Sequence, residues 1–142
     1  MSDETPTPAP DTRGCRVVRP GDPYVGVQAL QYVAGVTKQS VGSRGICLVV
    51  ATMPPGARSR AHHHEGIETA IHILEGEAVT YHGARLEHEF VARAGDYVYI
   101  PADVPHLVVN RSDGPCRAFI AHTAGDDQEG IVMHPELEAR IP

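Results

Sequence analysis

Histidines and carboxylates crowd into one stretch of this chain. Of its nine histidines, His62, His63, His64 and His72 fall between Gly56 and Gly76, together with Glu65, Glu68 and Glu75. In an extended strand, residues two apart point to the same side, about 7 Å from one another. His62 and His64 therefore share a face, while His63 and Glu65 face solvent. Two imidazoles on one face can converge on a single cation at about 2.0–2.1 Å each. A further histidine, His106, heads a β-branched run after the proline-locked turn Pro101-Ala102-Asp103-Val104-Pro105.

The elements that must position these side chains are strands. From Cys15 onward, short apolar and β-branched runs alternate with turn residues. Strands are expected over 16–18, 28–33, 45–53, 59–64, 68–74, 78–82, 87–92, 96–100, 106–110 and 116–122, separated by turns such as Pro54-Pro55-Gly56, Glu75-Gly76 and Ala94-Gly95-Asp96. Frequent turns between strands of about five to eight residues describe an antiparallel sandwich or barrel. Only 135–140 has the makings of a short helix. The expected core and pocket wall are Ile46, Leu48, Val50, Ile71, Ile73, Val98, Ile100, Val108, Phe119 and Ile120.

At 142 residues with 42% hydrophobic content, the chain has the length and core of one domain, expected over 15–142 after a flexible tail, 1–14. A net charge of −6, no Trp and two Phe provide neither the basic field nor the stacking platforms that nucleic acid requires. Anionic membrane is disfavoured for the same reason. Three scattered cysteines, Cys15, Cys47 and Cys116, imply no disulfide framework and suit a reducing compartment, so a cytoplasmic protein is expected.

Taken together, Gly56-x5-His62-x-His64 with a following Glu and Gly76, then Gly95-x5-Pro101 and His106-x3-Asn110, resemble the two sequence motifs of the cupin superfamily. The likeness covers about residues 45–123 and implies an all-β double-stranded β-helix, a jelly-roll barrel. It places His62, His64 and His106 on the family's histidine ligands, with Glu68 as the candidate carboxylate, and it implies a homodimer. Such a set leaves two positions on an octahedral ion for water or substrate. Zinc is favoured, with manganese, iron, nickel or copper also compatible.

The chain departs from the family pattern at two places. Asp103 stands where the second motif usually carries Gly, a turn position that Asp tolerates. Counting back from Gly76 puts the family carboxylate at Thr69, so Glu68 faces outward unless a bulge after Gly66 shifts the register. That bulge would also turn His72 inward, as general base or substitute ligand in a four-histidine site. His122, near the end of the last long strand, could also reach the cavity, and Arg60 its mouth. His82, His88 and His134 belong to the surface.

A divalent ion with two open positions can chelate a 1,3-dicarbonyl substrate and acidify its α-proton, with Glu68 or His72 available as the catalytic base. Small single-domain cupins also resemble the aromatic polyketide cyclases of actinobacteria. Intramolecular aldol cyclisation of a poly-β-ketone, in antibiotic biosynthesis, is therefore the specific expectation. A metal-dependent dioxygenase and a non-catalytic ligand-binding barrel are the alternatives.

Overall fold

A computed structural model describes residues 14–142; the expected tail falls almost wholly outside them. The described residues form eleven strands. They are β1 (Pro23–Val25), β2 (Gln31–Val36), β3 (Cys47–Met53), β4 (His62–His64), β5 (Thr69–Glu75), β6 (Glu77–His82), β7 (His88–Arg93), β8 (Tyr97–Ile100), β9 (His106–Val109), β10 (Cys116–His122) and β11 (Ile131–Met133). A one-turn helix, α1 (Lys38–Val41), follows β2, and Pro135–Arg140 forms a 3-10 helix. No helix among the described residues is long and apolar enough to cross a membrane.

All strand pairs are antiparallel, in a six-stranded sheet ordered β1-β2-β3-β10-β5-β8 and a five-stranded sheet ordered β11-β4-β9-β6-β7. The expected all-β double-stranded β-helix is present. Residues 16–18 form no strand: backbone pairing to the sheet begins only at Gly21, whose N–H donates to Ala34 O. β1 and β11 are three-residue additions with too little pattern to see in sequence.

The core between the sheets is built from alternate residues. On β3 these are Cys47, Val49, Ala51 and Met53; on β10, Cys116, Ala118 and Ile120; Ile73, Val98 and Ile100 complete the packing. The core expected from sequence is corrected on β3 and at Phe119. Leu48 and Phe119 are each 40% exposed and Ile46 is 63% exposed, on the outer face of the six-stranded sheet. A second cluster of Ala61, Leu86, Leu107, Val109, Leu137 and Ile141 lies where the C-terminal 3-10 helix covers the five-stranded sheet. Cys47 and Cys116 are buried, and burial pushes both thiols up, Cys47 to about 11, so they act as small apolar groups.

The turn before β6 fixes the register of β5. Gly76 has φ +78°, and a Cβ there would lie 2.2 Å from the Pro115 carbonyl oxygen, so the position admits only glycine. Thr69, Ile71 and Ile73 consequently turn toward the interior, while Glu68 and Ala70 are exposed. Gly66 (φ +67°) makes a turn instead of a strand bulge.

Candidate metal centre

Strand pairing delivers three of the histidines to one point. β4 meets β9 with His62 directly across from His106, and strand alternation returns His64 to the same side. Ring centroids are 4.3 Å apart for His62 and His106, 5.2 Å for His62 and His64, and 6.0 Å for His64 and His106. The possible ligand nitrogens of these three buried residues all lie within 4.8 Å of one another.

Two of the imidazoles are oriented by the same local device. His62 Nδ1 lies 2.7 Å from Arg60 O, and His106 Nδ1 lies 3.0 Å from Val104 O. A carbonyl oxygen only accepts, so each Nδ1 carries the proton and each Nε2 keeps its lone pair for a ligand. His64 Nδ1 is buried without a hydrogen-bond partner; the Glu129 backbone lies near enough to act on its charge but not in bonding geometry. Three converging imidazoles, two with fixed tautomers and one with an unpartnered nitrogen, fit a divalent transition ion.

A fourth imidazole completes the wall. His122 sits across β10 and β5 from Thr69, its Nδ1 2.8 Å from Thr69 Oγ1, and its ring is 4.5 Å from that of His64. Only the neighbourless strand position of His122 pointed to it in the sequence. The cavity of ≈ 40 Å³ that all four histidines line is also lined by Gln28, Leu30, Tyr32, Thr69, Ile71, Ile100, Val108 and Ile120. It adjoins an apolar cavity of ≈ 50 Å³ with which it shares Leu30, Ile71, Val108 and Ile120. Among the described residues, no carboxylate lines either.

Glu68 and His72 are not brought to this site. Glu68 is exposed and accepts a 2.6 Å hydrogen bond from the Tyr99 hydroxyl. His72 lies on the same outer face, its ring stacked 4.3 Å from that of Tyr97. The inward position assigned by the Gly76 register belongs to Thr69, which supports His122 in place of a carboxylate. His63 faces away, paired at 2.6 Å with His134, and Arg60 is exposed. Asp103 adopts φ +68° and its Oδ1 accepts from the Gly66 N–H, so the aspartate fills the usual glycine turn position and also braces the loop after His64.

Burial keeps the cluster neutral. It pushes His106 down to about 4, with His64 and His122 adding to the effect against the Val104 hydrogen bond. His122 falls to about 3, through burial and then the neighbouring His64 and His62. His62 and His64 are also lowered, burial being the largest cause for each. Each folded-state value lies below that of a free imidazole, about 6.5. As pH falls below about 6.5, the unfolded chain gains protons that the folded metal-free protein refuses, and stability is lost progressively toward pH 3. We expect urea unfolding of the metal-free protein to show a plateau of stability between pH 7 and 8 and a loss of several kcal/mol, roughly 1.4 kcal/mol per group per pH unit, between pH 6.5 and 5. A flat profile over that range would contradict the burial of neutral imidazoles.

A family model described as "Cupin domain" matches residues 49–122, just over half of the chain. No curated protein matches it significantly. A solved structure of a predicted oxalate decarboxylase from Thermotoga maritima has a TM-score of 0.64 at 19% identity, over 77% of this chain and 99% of that one. Recombinant oxalate oxidase in complex with glycolate has a TM-score of 0.67 at 16% identity, over 88% of this chain and 65% of its own. The DMSP lyase DddQ from Ruegeria pomeroyi DSS-3 has a TM-score of 0.54 at 27% identity, over 64% of this chain and 44% of its own. The chain thus spans less than two thirds of the length of the latter two.

Proposed function

The chain belongs to the cupin domain family, and on that premise we propose that it is a metal-dependent enzyme that promotes enolate chemistry on a small dicarbonyl substrate. The observation that carries this is the composition of the cavity: four buried neutral imidazoles and, among the described residues, no carboxylate. His62, His64 and His106 would hold the ion, with His122 as the fourth imidazole within reach. A divalent ion held there, zinc in our proposal, supplies Lewis-acid polarisation of a carbonyl. Neutral ligands leave the full double charge of the ion to do this, whereas a ligating carboxylate would halve it.

The protein's own contribution is to orient and to exclude water. The Arg60 and Val104 carbonyls hold the imidazoles in one tautomer, and Leu30, Ile71, Val108 and Ile120 keep the surrounding dielectric low. His122, outside the three-histidine group, is the imidazole positioned to accept an α-proton; its low pKa restricts it to a strongly acidified one.

The specific form we propose is intramolecular aldol cyclisation of a poly-β-ketone of the aromatic polyketide type. The reacting end would occupy the histidine cavity, and the rest of the substrate would part the apolar walls beyond it. The test is turnover of a poly-β-ketone by zinc-loaded protein without oxygen. Cyclised product with no oxygen consumed is expected, and an absolute requirement for oxygen would replace the cyclase with a dioxygenase.

A further inference from the structure

The cavity has a polar side that the histidines do not account for. Gln28 and Tyr32 line it and are each 2% exposed. Gln28 stands in the tight turn before β2, where the Ala29 N–H donates to Gly26 O and the Gln28 carbonyl accepts from the Arg60 N–H at 2.7 Å. The residue is thereby tied to the segment that orients His62.

The direction of the Gln28 amide follows from donors and acceptors that cannot be exchanged. The Val27 backbone N–H, which can only donate, lies 2.9 Å from the Gln128 side chain and identifies that atom as Oε1. The other end of Gln128 is therefore Nε2, and it donates to the Asp127 carboxylate at 2.9 Å. The same Nε2 donates to Gln28 at 3.2 Å, so the Gln28 atom there is its carbonyl oxygen, Oε1. Asp127 is itself 2% exposed and accepts a 2.6 Å hydrogen bond from the Tyr24 hydroxyl, which anchors the far end of the chain. With its oxygen turned toward Gln128 and one N–H directed at the Tyr32 hydroxyl, Gln28 has its second N–H to offer, and Tyr32 its own O–H.

Gly26 makes this packing possible. A Cβ at that position would lie 2.5 Å from Gln28 Oε1, 2.6 Å from Gln128 Nε2 and 2.7 Å from Tyr32 Cε2. Tyr32 is kept a neutral phenol by burial first and by the Asp127 charge second, against a hydrogen bond from Gln28. Two donors, an amide and a phenol, thus line one cavity with the histidine group.

We propose that Gln28 and Tyr32 form an oxyanion-binding wall, their NH2 and OH donating to a negatively charged substrate oxygen while the ion engages a second oxygen of the same fragment. The wall selects planar anions with two oxygens, such as carboxylates and β-diketonates, and excludes a role for Gln28 as a metal ligand, since only its amide oxygen could serve as one. It deepens the enolate chemistry proposed above and rests on the same metal-loaded cavity.

The test uses zinc-loaded full-length protein with two probes, formate and acetylacetone, followed by calorimetry, with zinc content measured in parallel. Wild type is expected to bind both. Gln28→Glu replaces the donor by an acceptor of the same shape and is expected to bind formate about tenfold to a hundredfold more weakly, with zinc content unchanged. Tyr32→Phe is expected to weaken formate several-fold. Gln28→Met, which fills similar space without a donor, repeats the measurement if the glutamate variant does not fold. Unchanged formate affinity in the Gln28 and Tyr32 variants, zinc loss on Gln28→Met, or no formate binding by wild type would overturn the wall. Formate binding without acetylacetone binding would leave the wall standing and remove the enolate chemistry.

Discussion

Replacing His106 by alanine is expected to abolish metal binding. A structural zinc site yields about 10–16 kcal/mol over four ligands, so loss of one ligand removes roughly 3–4 kcal/mol, or a factor on the order of 10²–10³ in affinity. His62 and His64, even with His122 within reach, would hold an ion too weakly to survive dialysis. Because a bound ion stabilises the folded state by mass action, wild type should melt at a higher temperature with zinc, and His106→Ala should lose that increment. Two controls make the result specific to the cavity. His72→Ala removes a ring stacked on the outer face against Tyr97, and Glu68→Gln alters a carboxylate bonded to Tyr99. Both should retain the ion at wild-type stoichiometry. Zinc loss from Glu68→Gln would return the carboxylate to the site and displace the all-imidazole cluster.

The contrast between His62 and His72 shows how far sequence could go. Alternation alone separated His62 and His64 from His63, because three adjacent residues in one strand leave no freedom about which two share a side. Counting from Gly76 correctly placed Thr69 inside, since a φ of +78° against the Pro115 carbonyl pins that turn. A nearby acid makes Glu68 attractive, but only a bulge could bring it in, and Gly66 makes a turn instead. The β3 core faces could not be chosen in the same way. Ile46, Cys47, Leu48, Val49, Val50 and Ala51 are apolar at both parities, so the register depends on pairing with β2 and β10. His122 and Gln28 carried no local motif at all. Their place in the cavity depends on partners far along the chain, Thr69 for one and Gln128 for the other.

Asn110, the last residue of the second motif, bonds to Met53, Gly114 and Ser112 and not to the histidine group, yet its replacement is expected to be among the most damaging to stability. It is fully buried, at 0% exposure. Its Nδ2 donates to Met53 O at 2.9 Å and to Gly114 O at 2.8 Å, and its Oδ1 accepts from the Ser112 N–H at 3.0 Å and the Ser112 hydroxyl at 2.7 Å. Its backbone pairs with Gly56 and Ala57. One side chain therefore ties the end of β3 to the turn that opens β10, and its backbone holds the turn leading toward β4. Asn110→Ala removes four hydrogen bonds at about 1 kcal/mol each and strands buried carbonyls, for an expected loss of about 3–5 kcal/mol in urea unfolding. Asn110→Asp keeps the shape but aims a carboxylate oxygen at two carbonyls. Burial among acceptors would raise that carboxyl's folded-state pKa above its unfolded value of about 3.9. The destabilisation would then be complete above the folded pKa and partly relieved as pH falls below it, when the protonated carboxyl can donate one bond. Comparing the two variants in acid, each against wild type, separates this effect from the general loss caused by the buried imidazoles. A difference between them that does not change with pH would show that the carboxyl is solvated, and that Asn110 does not occupy the sealed, donor-requiring position described here.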